Sequence, residues 1–176
     1  LNDLSYLTYY PSPIGILKIE FNQQSLLKVE FDDQLREVKN NCQQNFYEDP
    51  RLLAIYNLIF DQLNQYFMGK RTDFDIPLAL KGSSFDLKVW KYLSSIPFGR
   101  TSSCSEIAAA IGKSTAVKAV EQANERNPIS VIIPCHRVIA KSGKLTGYQG
   151  GIWRKRWLLE HENNTTNNLE RKMSFV

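Results

Sequence analysis

The chain has 176 residues, 43% of them apolar and 23% charged, with a formal net charge of +4, enough for one ordinary domain or two small ones packed together. No apolar run reaches the length of a membrane span, and residues 1–10 mix Asn, Asp and Ser with apolar residues, unlike a signal peptide, so a cytoplasmic protein without membrane attachment is expected. Three cysteines (Cys42, Cys104, Cys135) and two histidines (His136, His161) are too few and too scattered for a disulfide framework or a zinc site, so no metal is expected.

The charge is unevenly spread. Residues 1–80 carry 7 Lys+Arg against 11 Asp+Glu, and residues 81–162 carry 13 against 6. A basic half joined to an acidic half points to a polyanion partner for one face, with a phosphate backbone the first candidate.

Short runs at 7–10, 14–21 and 26–31, separated by Pro11-Ser12-Pro13 and Asn22-Gln23-Gln24, predict an antiparallel meander of three strands. From 52 to 67, Leu52, Ile55, Tyr56, Ile59, Leu63, Tyr66 and Phe67 recur at helical spacing, with Pro50 suited to the start and Gly69 past the end. This helix is expected to cover one sheet face and put its aromatics in the core. Residues 70–82, with Pro77, read as an extended connector, and the domain boundary is placed between 80 and 81.

Ser83 or Ser84 can cap a helix whose Phe85, Val89, Trp90 and Leu93 line one face, ending before Pro97-Phe98-Gly99. Hydroxyls at 101–103 offer caps for a short helix carrying Ile107, Ala108 and Ile111. Gly112 breaks it, and Ser114 or Thr115 restarts a helix through Ala116, Val117, Ala119, Val120 and Ala123. Helix, glycine turn, helix is a helix-turn-helix pattern that purely structural helical hairpins share.

The most chemical stretch is 127–140. Val131-Ile132-Ile133 is stopped by Pro134, a thiol, an imidazole and a guanidinium follow, and a second apolar run starts at Val138. The expectation is three reactive side chains between two buried strands, with Pro134 ending the ladder and fixing the direction of Cys135. A thiol of ordinary pKa about 8.5 gains thiolate character beside a base such as His136 or a cation such as Arg137. The plain alternative is a small core cysteine with His136 and Arg137 in solvent. Beyond a basic turn at 141–144, the glycines of 146–151 lack phosphate-loop spacing but suit a main-chain wall for a flat ligand. A helix from 152 to about 162 and a polar tail at 163–176 complete the reading.

Several of these pieces coincide with one family. Val89-Trp90 followed by Ile96-Pro97-Phe98-Gly99, then Glu106-Ile107-Ala108, Ala123-Asn124 with Asn127-Pro128, Ile133-Pro134-Cys135-His136-Arg137-Val138, Gly147-Tyr148 with Gly150-Gly151, and Lys155 through Leu158-Leu159 to Glu162 stand in the family's order. Residues 85–162 resemble the C-terminal domain of O6-alkylguanine-DNA alkyltransferases (methylated-DNA–protein-cysteine methyltransferases), and the front half is similar to their N-terminal domain. The resemblance implies an α+β protein: a ribonuclease H-like N-terminal domain (1–80) with an antiparallel three-stranded sheet and helices, and a mostly helical, winged helix-turn-helix-like domain (81–162).

It also implies a function: single-turnover removal of an alkyl group from O6-alkylguanine, and from O4-alkylthymine, after base flipping, with no cofactor. Carried over by position, Cys135 is the acceptor, His136 takes its proton through a water, Glu162 orients His136, and Asn127 braces the active-site turn. DNA contacts fall on Ser103, Cys104, Thr115, Ala116, Lys118 and Arg137, and the base pocket on Pro134, Val138, Tyr148, Gln149, Gly150 and Trp153. The implied partner is double-stranded DNA, entered from the minor groove by a monomer with little sequence preference.

Three positions depart from the family pattern: Cys104 replaces a tyrosine, Lys118 an arginine, and Glu121 a small residue. They are expected to weaken base flipping while leaving the thiol machinery complete. The alternatives are an alkyltransferase-like damage-binding protein, whose relatives lack the acceptor cysteine present here, and a redox-sensing DNA-binding regulator.

Overall fold

The structure, a computed structural model, describes residues 4–35 and 48–173. Cys42 lies outside them. The chain forms two compact units, one of Leu1–Leu80 with Pro128–Ser130, the other of Lys81–Asn127 with Val131–Val176.

The first unit is a meander, β1 (Tyr6–Ser12), β2 (Gly15–Phe21) and β3 (Leu26–Phe31), antiparallel in the order β1-β2-β3. Pro11, read as a separator, lies inside β1 opposite Ile16. It is tolerated there because β1 is an edge strand, where a missing N–H breaks no ladder. The turn shrinks to Pro13-Ile14 between the paired Ser12 and Gly15, and Gly15 takes a φ of 114° that a side chain would resist.

Helix α1 (Pro50–Phe67) is capped by Asp49, whose carboxylate accepts from the Arg51 and Leu52 amides. Its aromatic stripe lies on the sheet as expected. Tyr10 meets Phe60 edge-on at 5.3 Å, Phe21 lies 6.4 Å from Tyr56, and Tyr10 donates its hydroxyl to Asn64 at 2.8 Å. Leu17, Ile19, Phe21, Leu52, Ile59, Leu63 and Tyr66 are buried, each contributing on the order of 1.5–3 kcal/mol. The connector is pinned rather than loose: the Gln62 amide exchanges two hydrogen bonds with the Asp75 backbone, and Leu78 bridges Leu26.

The second unit is helical. Helix α2 (Ser84–Ser94) and α3 (Cys104–Ala110) each begin with a capping box, Ser83 with Asp86 and Ser103 with Glu106. After Gly112, at φ 72°, comes α4 (Val117–Glu125). Neither Ser114 nor Thr115 caps it; the cap position is Ala116 and makes no side-chain bond. The Trp90 indole donates to the Ala123 carbonyl at 2.8 Å, tying α2 to α4. Helix α5 (Ile152–Met173) does not stop near 162; the residues read as a tail continue it.

Candidate active site

Pro134 leads into one turn of 3-10 helix, Cys135–Arg137. The strands expected on either side do not form. Residues 131–133 are a turn in which Val131 has a φ of 72°, and Val138 makes only an isolated bridge to Ser102. The cause is local. The Ile133 carbonyl, which a ladder would use, accepts instead from the Asn127 side chain (2.9 Å) and from the Cys135 amide (2.8 Å). A β-branched residue in the left-handed region costs roughly 1–3 kcal/mol, and complete burial of Val131 and Ile133 helps hold it there.

The same Asn127 nitrogen lies 3.1 Å from the Cys135 sulphur, so Asn127 is a direct donor to the thiol as well as a brace. Cys135 is 4% exposed, and burial pushes its thiol up, an effect that the Asn127 bond and the charge of Lys155 partly offset. Burial therefore favours the protonated thiol at Cys135.

His136 and Arg137 do not face solvent. The His136 ring is 0% exposed, and its Nε2 lies 2.8 Å from Oε1 of Glu162, itself 0% exposed. Arg137 grips the same carboxylate through Nε (2.9 Å to Oε2) and a terminal nitrogen (3.0 Å to Oε1), and its other arm donates to the Ile96 carbonyl. A further donor, the Gly99 amide, reaches Oε2 at 2.9 Å. Burial alone raises a carboxylic acid, but hydrogen bonds and charge from His136 and Arg137 outweigh it here and hold Glu162 at about 2. Burial pushes His136 down in spite of Glu162. An ionised Glu162 requires the proton on Nε2, which leaves the lone pair on Nδ1, an atom buried with no hydrogen-bond partner among the described residues.

The residues assigned to the base pocket centre on the loop at 146–151. Gly150, Pro134 and Val138 are buried, Gln149 is exposed, and Tyr148 is half-buried. Desolvation pushes the Tyr148 phenol well up, with a further push from Cys135. Two cations to which the sequence reading gave no role organise this loop. Lys155, 1% exposed, donates to the carbonyls of Thr146 (2.7 Å) and Gly147 (3.2 Å), and Arg154 donates to Gly150 (2.8 Å). A signal for them was present: cations in the first turn of α5, without an acid, oppose the helix dipole. Burial pushes the Lys155 ammonium down, while Cys135 and Cys104 pull it up.

Two site assignments need correction. Arg137 is buried and committed to Glu162 and Ile96, so it is not available as a DNA contact. Ser103 is buried too, its hydroxyl used in the α3 capping box with Glu106 at 2.8 Å. Trp153, assigned to the base pocket, is 57% exposed, with the Arg154 guanidinium 4.6 Å from its ring. Of the other assigned DNA contacts, Thr115 and Lys118 are exposed, and Ala116 and Cys104 half-exposed. Burial and the nearby Glu121 push the Cys104 thiol up.

A buried thiol that accepts from Asn127, followed directly in the chain by a buried His136–Glu162–Arg137 cluster, is an arrangement suited to a covalent group-transfer protein. Known proteins supply the family. Residues 84–164 match the family model "6-O-methylguanine DNA methyltransferase, DNA binding domain" and residues 5–80 the model "6-O-methylguanine DNA methyltransferase, ribonuclease-like domain". The methylated-DNA–protein-cysteine methyltransferase of Mycobacterium tuberculosis is 46% identical over 151 residues, spanning 86% of this chain and 88% of that one. Its namesake from Methanosarcina barkeri is 40% identical over 159 residues, 90% and 98% of the two chains. The crystal structure of Mycobacterium tuberculosis OGT in complex with DNA is similar over 89% of this chain and 92% of that one, with a TM-score of 0.75 at 41% identity. The chain belongs to the O6-methylguanine-DNA methyltransferase family.

Proposed function

We infer that this protein repairs DNA by moving an alkyl group from O6-alkylguanine onto its own Cys135, acting as a methylated-DNA–protein-cysteine S-methyltransferase that each molecule performs once. The observation that carries this is the buried chain Arg137–Glu162–His136 next to a thiol that already has an Asn127 donor. His136 takes the thiol proton at Nδ1 through a water, and Glu162 and Arg137 fix the ring that receives it. The thiolate electron pair forms the S–C bond, the C–O bond breaks, and the relayed proton balances the charge left on the guanine. A thiolate suits attack on a saturated carbon, and the thioether product has no leaving group by which to revert.

The helix-turn-helix is read as the DNA contact, with Thr115, Ala116 and Lys118 at the start of α4 meeting the minor groove. That groove offers a degenerate code, so sequence preference is low. Tyr148, Gly150, Pro134 and Val138 receive the flipped base, an extrusion costing a few kcal/mol. The protein works as a monomer. An acceptor that must remain a free thiol belongs in a reducing compartment, the cytoplasm.

Intact mass after mixing with excess O6-methylguanine duplex tests the reading. One methyl per molecule, mapped to Cys135 and abolished in Cys135→Ala, is the expected result. An unmodified protein that still binds the duplex would make it a damage-binding relative, with Cys104, Lys118 and Glu121 as the cause.

A further inference from the structure

The family model ends at residue 164, yet α5 runs on to Met173. One residue in that continuation reaches the active site. Thr166 donates its hydroxyl to the Glu162 carbonyl at 2.9 Å, and the same oxygen lies 2.6 Å from where a Cβ on Gly99 would be. Gly99 has a φ of 71°, and its amide is the donor to Oε2 of Glu162. The three residues are thus interlocked: Glu162 accepts from Gly99 through its side chain and from Thr166 through its main chain, and Thr166 covers the Cα of Gly99.

We propose that Gly99 and Thr166 are positioning residues for alkyl transfer, which act by fixing the Glu162 carboxylate that in turn fixes and charges the His136 base. Glu162 has two oxygens and must serve three groups. Oε1 carries His136, and Arg137 bridges both oxygens, so a carboxylate free to rotate would exchange one partner for the other. The Gly99 amide removes that freedom because it holds Oε2 from a rigid main-chain position. Glycine is required there twice over, by its φ and by the space Thr166 occupies. Thr166 packs over the Cα of Gly99 and so holds the amide that donates to Oε2 in place, and the bond it holds lies in a buried site, where a hydrogen bond to a carboxylate is stronger than in water. The charged and titratable groups that bear on Glu162 and His136 are each other, Arg137, Tyr148 and Lys155, with Cys135 as the group they serve. None of them lies on the α5 continuation, so a change at Thr166 alters the geometry without altering local charge.

The inference rests on Cys135 being the acceptor and His136 its base. Thr166→Ala, Thr166→Ser and Gly99→Ala are compared with the parent in single-turnover transfer from an O6-methylguanine duplex between pH 6 and 9. Duplex affinity is measured for each substitution on a Cys135→Ala background. A loosened Glu162 makes His136 a weaker base, so the thiolate forms later on the pH scale. Thr166→Ala is expected to displace the profile upward by about one unit, a drop of about tenfold at pH 7 that closes toward pH 9, with affinity unchanged. Thr166→Ser stays close to the parent, and Gly99→Ala shifts the profile further. An unmoved profile for Thr166→Ala, or slowing by the same factor at every pH, overturns the proposal even if Gly99→Ala fails to fold. Mapping the methyl separates the two readings. A methyl on a residue other than Cys135 removes the acceptor assignment, whereas a methyl on Cys135 with an unmoved profile removes only the role of Gly99 and Thr166.

Discussion

The two units bury different things. Under α1 the first unit hides Leu17, Ile19, Phe21, Leu63 and Tyr66, with Gln62 as a polar exception satisfied by the Asp75 backbone. The second unit has its own apolar core in Val89, Trp90, Leu93, Ile107, Val120 and Leu158, and beside it hides Glu162, His136, Arg137, Arg154 and Lys155. Apolar burial is stabilising on its own account, whereas a buried charge is tolerated only while every partner stays in place. The first unit therefore rests almost wholly on apolar burial, whereas the second adds to its apolar core a set of buried charges that must stay paired with one another.

The largest test of that contrast is Glu162→Gln. It leaves Arg137 buried without a counter-charge, and about 3–5 kcal/mol of stability should be lost in denaturant unfolding, together with transfer activity. Leu63→Ala in the first unit should cost about 3 kcal/mol by the same measurement and leave the transfer rate per folded molecule unchanged. A slowed rate would mean that the separation of roles is wrong. Acid provides a third test. Glu162 is held at about 2 in the folded protein, below its ordinary 4.5, so its contribution is present above pH 4.5 and is lost as pH falls toward 2. That loss should approach about 3 kcal/mol in pH-dependent unfolding and vanish in Glu162→Gln. The smallest effect belongs to Arg126→Ala. Its pair with Asp86 is short, at 2.6 Å, but Arg126 is half exposed, and the change should cost under about 1 kcal/mol and weaken further with salt.

The first unit was legible because its signals are local and repeated: apolar strand runs, a 3.6 period in α1, Pro50 at its start. Candidate cap hydroxyls at 83–84 and 101–103 made the starts of α2 and α3 legible in the same way. The reactive stretch was identified by residue type, and in the folded chain Asn127 reaches the Cys135 sulphur while Glu162 reaches the His136 ring. Its shape was misread, because Val131-Ile132-Ile133 has the composition of a buried strand and nothing local announces a valine at positive φ. Arg137 looked like a surface cation because its partner, Glu162, lies 25 residues further along the chain. The end of α5 was misread for the opposite reason. Asn and Thr are poor helix formers, and the contact of Thr166 with Gly99 that favours continuation is invisible in one dimension.

The burial of Arg137, Arg154 and Lys155 also bears on how firmly DNA can be held. Residues 81–162 carry thirteen cations, and taking these three out of solvent leaves ten that can displace condensed ions from a duplex. Each phosphate neutralised contributes about 0.9 to the slope of log affinity against log salt. The salt dependence of this protein is therefore capped below what its composition suggests, because part of its positive charge is already spent on its own carbonyls and one carboxylate.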